Sequence, residues 1–375
     1  MEIAAATADF SGICRGFALF FWTRFRIASS GRGVGRTQSR ERDILHVHLA
    51  HLCRFLLLDC YYFLKPAIPE GIRFLLRHWY ALPLKWLAAG SWPIRAASAF
   101  TPTGWPGWPG GKSFAFVLTH DVERQKGLSR CLALAQLEMR LGFRSAFNFV
   151  PEGEYVTPAS LRSVLTESGF EIGVHDLHHD GSLYGSFKAF KKGAGRINQY
   201  LRAWNASGFR SGFMRHNLRW LQHLDVDYDA STFEYDPFEP QPDGTGTIFP
   251  FWVYRDDGSA YIELPYTLPQ DATLFLELRE TSNDIWKRKL DWVASRGGMA
   301  LLIVHPDYMS FEEEPGPNEY RAELYEDFLT YVRDRYGDTA WFARPCDVAA
   351  HVRRSLPRSP TAVTAENSAY AERST

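Results

Sequence analysis

Between residue 114 and about residue 350 the chain alternates short apolar runs with amphipathic stretches, and this alternation limits the possible folds more than any other feature. SFAFVLTHD, RSAFNFV, FEIGVH, GFRSGF, VDYDAST and MALLIVHPD read as strands, each a short run rich in apolar or β-favouring residues. Between and after them, LSRCLALAQLEMRLG, SLRSVLTESG, SFKAFKKGAGRINQYLRAWN, NLRWLQHL, DIWKRKLDWVASRG and EYRAELYEDFLTYVRDRYG carry helical apolar spacing. Strand followed by helix, repeated, implies a parallel sheet covered by helices. The span of about 240 residues matches a (β/α) barrel.

The flanks have a different texture. Residues 1–43 are expected to be disordered, the stretch TRFRIASSGRGVGRTQSRER within them being rich in Arg and Ser. Residues 44–110 read as a helical extension and linker. ILHVHLAHLCRFLLLDCYYFL and EGIRFLLRHWYALPLKWL are two amphipathic helices parted by Pro66 and Pro69, and TPTGWPGWPGG stops any regular element. The helices are expected to pack on the main domain rather than on a membrane. The first offers His46, His48, His51 and Asp59 at its polar positions, not a Lys/Arg face. The main domain is expected over 111–352, with a Ser-, Thr-, Ala- and Pro-rich tail over 353–375 expected to be disordered.

Composition removes several function classes. Net charge is −1, from 42 basic and 43 acidic residues, so no long-range field draws nucleic acid or anionic lipid. No Walker-type glycine loop appears, which argues against a nucleotide enzyme. Cys14, Cys53, Cys60, Cys131 and Cys346 include no CxxC pair, against both a disulfide framework and a cysteine-built zinc site. GFALFFW is too short to span a bilayer, and no signal cleavage site follows it. A cytoplasmic protein without an integral membrane span is expected, its oligomeric state open.

The chemistry gathers where apolar strands end. In a (β/α) barrel the carboxyl ends of the strands converge on one face, where active sites sit. His175 and His179 in HDLHH stand four apart, which on a helical turn or turn-like loop brings both rings to one side. His178 points elsewhere. Neutral imidazoles suit Zn, and also Co, Ni or Fe. A third ligand should be an acid, leaving one position open for water. THDVE supplies Asp121 and Glu123, two apart on an extended strand end and so on one side. One can bind the cation while the other faces a water whose pKa the cation lowers. Arg210 in GFRSGF is expected to orient Asp121 through a salt bridge. His305 in LLIVHPD is expected to protonate the leaving group, with Asp229 of DYDAST holding its ring.

In this order the segments THDVE, HDLHH, RSGF, DYDAST and IVH resemble the polysaccharide deacetylases, family 4 of the carbohydrate esterases. The resemblance covers residue 114 to about residue 350. It implies an α/β fold, a distorted (β/α)7 barrel, with the N-terminal helical extension outside it. It implies Asp121 as catalytic base, Glu123, His175 and His179 as metal ligands, and Arg210 as the anchor of Asp121. Phe213 would offer its backbone N–H to the oxyanion, and His305 would be the acid backed by Asp229. The implied activity is removal of an acetyl or similar acyl group from a saccharide or glycan precursor. A sugar-binding barrel without turnover and a hydrolase of small non-sugar amides are the alternatives. The sequence departs from the family pattern at Glu123 (for Asp), Asp176 (for Ser or Thr), Gly212 (for Pro) and His120 (for Phe). Phe233, Tyr235, Asp236, Glu239 and Tyr266 suit a sugar groove, because rings stack on sugar faces and carboxylates accept hydroxyl hydrogen bonds.

Overall fold

The computed structural model describes residues 70–241 and 243–358. The expected disorder of 1–43, the helix expected near 44–64 and the tail from 359 lie outside the described residues. Strand β1 (Phe114–Val122) is buried along its whole length. Its alternate side chains divide between two layers. Phe114, Phe116 and Leu118 pack among the covering helices, while Ala115 and Val117 pack against Leu301 and Ile303. A strand covered on both faces reads as an unbroken apolar run, which is why SFAFVL is legible. Each fully buried Phe contributes roughly 1.5–3 kcal/mol relative to exposure.

The chain then alternates as expected. It runs through α1 (Glu70–Leu87), β1, α2 (Gln125–Leu141), β2 (Ala146–Phe149), α3 (Ala159–Glu167), β3 (Glu171–His175) and α4 (Phe187–Trp204). Next come β4 (Gly208–Arg210), α5 (Leu218–Leu221), β5 (Tyr228–Asp229), β6 (Phe251–Tyr254) and β7 (Ala260–Glu263). It continues through a π-helical segment (Ala272–Glu277), α6 (Asp284–Arg296), β8 (Met299–Val304), β9 (Met309–Ser310) and β10 (Tyr320–Arg321). It ends with α7 (Ala322–Tyr336), β11 (Ala340–Ala343) and α8 (Pro345–Ser355). Arg353–Ser355, the start of the tail expected to be disordered, form the last turn of α8.

The sheet order is β11–β1–β2–β3–β4–β5–β7–β6, with β8 on the other edge of β1. All these pairs are parallel except β6 with β7. Strands β1, β2, β3, β4, β5, β7 and β8 form the seven-stranded curl of a distorted (β/α)7 barrel. β11 lies beside the first half of β1, and β2 lies beside the second half. Thr267 bridges the opening between β7 and β8. Its backbone N–H donates to the Leu301 carbonyl (3.1 Å), and its hydroxyl accepts from Leu301 N–H (3.0 Å) and donates to the Met299 carbonyl (2.8 Å).

The β6–β7 hairpin, β11 and α8 are absent from the sequence reading. The hairpin signal was there: FWVY and AYIE flank RDDGS, and Asp-Gly between β-favouring runs marks a turn. The helix expected over EGIRFLLRHWYALPLKWL is present as α1, which seats Phe74 beside Ala272 and Leu276 of the π segment.

Candidate active site

The polar residues lie at strand carboxyl ends, as a barrel requires. Asp121 and Asn148 come from β1 and β2. His175, Arg210, Asp229 and Glu263 are the last residues of β3, β4, β5 and β7. Glu123 and His305 follow immediately after β1 and β8.

Glu123, His175 and His179 each turn one ligand atom toward a common point, all within 4.8 Å of one another. HDLHH is not helical. His175 ends β3, Asp176 and His179 take φ of 56° and 55°, and this tight turn brings the two rings to 4.8 Å between centroids. Left-handed backbone at non-glycine residues is costly and is held only where the surroundings over-determine it. His175 Nδ1 lies 3.1 Å from the Arg210 carbonyl. That contact fixes the ring and leaves Nε2 facing the site. His175 Nε2 and His179 Nε2 are buried without a hydrogen-bond partner, and His179 Nε2 lies 3.2 Å from Glu123 Oε1. Two orphaned imidazole nitrogens beside a carboxylate could hold a divalent cation. Burial holds the His175 pKa below its usual value despite the nearby carboxylates, so the ring is neutral and fit to ligate.

Glu123 is longer than the Asp of the family pattern, and its second oxygen has its own holder. Tyr308 donates to Oε2 at 3.0 Å, and the Glu123 backbone N–H donates to Asp307 Oδ2 at 2.9 Å. Burial would raise its carboxyl, but the fields of His179, His305 and His175 hold it well below the usual range.

Asp121 is 2% exposed. Burial would raise it too. The fields of Arg210, His175 and His305 and a hydrogen bond from Asn148 Nδ2 (2.9 Å) outweigh burial and keep it ionised. Arg210 is fully buried. Its Nε lies 3.5 Å from Asp121 Oδ1, an ion pair longer than a hydrogen bond, and its Nη2 donates to Thr119 Oγ1 at 3.1 Å. Asn148 reaches Asp121 because Gly173 on β3 has no side chain: a Cβ there would meet Asn148 Oδ1 at 2.1 Å.

His305 lies 3.9 Å from Glu123 Oε1 through Nε2. Its partner corrects the sequence reading. Nδ1 is 2.7 Å from Asp271 Oδ1, and the His305 backbone N–H donates to Asp271 Oδ2 at 2.7 Å. Asp271 also accepts from Tyr320 Oη (3.0 Å). Burial would lower His305, but Asp271, then Glu123 and Asp121, push it up to about 10. Asp229 is elsewhere employed. It accepts from Ser231 N–H (3.0 Å) and Ser231 Oγ (2.7 Å), and Ser231 Oγ in turn accepts from Ser211 N–H (2.9 Å). Asp229 thus holds up the 211–214 loop. Burial raises its carboxyl and, further, that of the neighbouring Glu263. The signal for Asp271 was its place before an apolar run in PQDATLF, too common a pattern to single out.

Phe213 lies on that loop at φ 57°, with its ring 4.4 Å from the His179 ring, centroid to centroid. His120 turns away from the site, its Nε2 2.7 Å from Glu138 Oε1 in the helical layer. His178 also turns away, toward the Glu152 carbonyl at 3.1 Å. The expected sugar groove is corrected as well. Phe233, Asp236, Glu239 and Tyr266 are buried, and Tyr266 Oη donates to Glu239 (2.6 Å) and lies 3.0 Å from Asp236 Oδ2. These side chains knit two loops together rather than line an open cleft.

No family model and no curated protein matches the chain. Solved structures do. A Mycobacterium smegmatis protein assigned as a polysaccharide deacetylase superposes with a TM-score of 0.53 at 20% identity, over 70% of this chain and 98% of its own. A peptidoglycan N-acetylglucosamine deacetylase aligns at TM-score 0.40 and 11% identity, over 64% of this chain and 90% of its own. A family 4 carbohydrate esterase from Streptomyces lividans, solved with acetate, aligns at 0.36 and 11%, over 61% and 91%. The first likeness carries the fold: the chain has the polysaccharide deacetylase barrel.

Proposed function

We propose that the chain is a metal-dependent hydrolase that removes an acetyl or similar acyl group from a saccharide or glycan precursor. One observation carries the reading: Glu123, His175 and His179 converge within 4.8 Å, with both imidazole Nε2 atoms lacking a hydrogen-bond partner, beside the buried carboxylate of Asp121. Glu123, His175 and His179 would hold the cation, most naturally zinc, with Co, Ni or Fe also suited to this donor set. When bound it acidifies a water and polarises the acyl carbonyl.

The chain's own residues supply the rest. Asp121, held ionised by Arg210 and Asn148, accepts the proton of the attacking water. The Phe213 backbone N–H donates to the oxyanion of the tetrahedral intermediate. His305, kept protonated by Asp271, passes its Nε2 proton to the departing nitrogen or oxygen.

His175→Ala and His179→Ala should each lose the metal, read by elemental analysis of purified protein. Asp121→Asn should keep the metal and lose turnover by about 10²–10⁴-fold, the usual reach of general base catalysis, read as acetate release from acetylated saccharides. Unchanged metal in the His variants ends the ligand assignment. A wild type that binds saccharide and releases no more acetate than Asp121→Asn makes the barrel a binding protein.

A further inference from the structure

Helix α1 wears its polarity outside in. Every exposed position from 71 to 87 is apolar, aromatic, glycine or proline. Ile72, Leu75, Trp79, Leu82, Trp86 and Leu87 face outward, with Trp79 65% and Trp86 70% exposed. The charged residues flank this arc and reach back to partners on the protein. Arg77 pairs with Glu277 (2.9 Å), Lys85 with Glu280, and His78 Nδ1 lies against the Glu277 carbonyl. At roughly 100° per residue the apolar arc covers about half the helix circumference. Arg73 and Arg77 border one side of it, and His78 and Lys85 the other.

We propose that α1 seats the protein on a bilayer surface with this arc immersed among the lipids, and that the saccharide handled by the adjacent site is therefore carried on a lipid. An arc this broad exceeds the narrow seam of a helix–helix contact and matches an interfacial helix. Tryptophans favour the headgroup level, where one part of the ring is wet and the rest apolar. Residues 70–87 hold Arg73, Arg77 and Lys85 against Glu70, and the Arg77 and Lys85 side chains stay 43% exposed beside their ion pairs with Glu277 and Glu280, within reach of anionic headgroups. The balanced charge of the whole chain gives no long-range pull, so insertion of apolar side chains supplies the binding.

The helix also adjoins the site. Phe74 meets the Tyr308 ring edge-on at 5.5 Å, and Tyr308 donates to Glu123. The π segment under α1 starts directly after Asp271, the partner of His305. Among the described residues no helix is long and apolar enough to cross a membrane. The lipid-carrier half of the proposal rests on the hydrolase reading; the docking half does not.

The test compares the full chain with a Trp79→Asp/Trp86→Asp variant by flotation with vesicles of phosphatidylcholine and phosphatidylglycerol. Both positions are exposed, and metal content and melting temperature confirm folding. The wild type should float, and the variant should float about tenfold less. A wild type left in the dense fraction, or a variant that floats equally, overturns docking. If the wild type stays dense and forms a dimer that the variant loses, a second copy covers the face. If it stays dense as a monomer, the chain itself covers the face. In the second arm, the wild type should release acetate from an N-acetylglucosamine glycolipid in those vesicles about tenfold faster than the variant. The two should match on a water-soluble acetylated oligosaccharide. Equal rates on the glycolipid overturn the lipid carrier. Flotation without acetate from either substrate overturns the hydrolase reading and leaves docking standing.

Discussion

Asp176 and Gly212, two of the positions that depart from the pattern the sequence resembles, stand against one another in the structure. Asp176 Oδ2 fills the space in which a Cβ at residue 212 would stand, at 2.5 Å, with His179 Cδ2 at 2.9 Å. The carboxylate is held by the Leu177 N–H at 2.6 Å and has no easy retreat. A side chain at 212 must therefore displace either Asp176 or the His179 ring. Gly212→Ala should bind metal at least about tenfold more weakly, as disturbing a ligand's support does. Asp176→Ser added to it should restore part of the affinity, read by metal titration of the two variants. Equal affinity of Gly212→Ala and wild type would separate the two residues. The sequence showed both departures but not their contact, because nothing in it places residue 176 against residue 212.

At the scale of elements, the strands were legible because burial on both faces leaves continuous apolar runs. The π segment was not, since ATLFLE reads as ordinary apolar helix or strand. It is short, rare, and follows directly after Asp271 beside the candidate site, where such segments often occur. Its position sets the alkaline behaviour of the site. In the proposed mechanism His305 would act as an acid only while protonated, so activity would be present below its pKa and lost as pH rises through it. Asp271 is the main group pushing that pKa up to about 10. Asp271→Asn removes the carboxylate field and leaves burial to pull the ring down. The alkaline limb of kcat/KM against pH should move toward the ordinary histidine value of about 6.5 or below. Asp229→Asn, in contact with Ser231 rather than His305, should leave that limb where it is. A limb unmoved in Asp271→Asn would remove Asp271 from the proton path.

Over the whole molecule, one residue stands at the seam of the curl. Thr267 joins the β7 side to β8 through its backbone and hydroxyl. Thr267→Val keeps the shape but leaves the Leu301 N–H and the Met299 carbonyl without that partner. Each buried unsatisfied group costs about 1–3 kcal/mol. The melting temperature should fall by about 2–4 °C per kcal/mol lost, read by calorimetry. An unchanged melting temperature would show that the seam carries no stability.

The sequence by itself determined the repeating strand–helix order and the residues at the strand ends, because periodicity and burial leave their mark on neighbouring positions. It also determined that His175, His179 and an acid of THDVE were the residues to watch. Tertiary structure alone decided which acid stands behind His305, that the Asp236–Tyr266–Glu239 cluster is buried, and that α1 turns an uncharged face outward. These depend on contacts between residues far apart in the chain. Local spacing carries no record of which distant surface a side chain will meet.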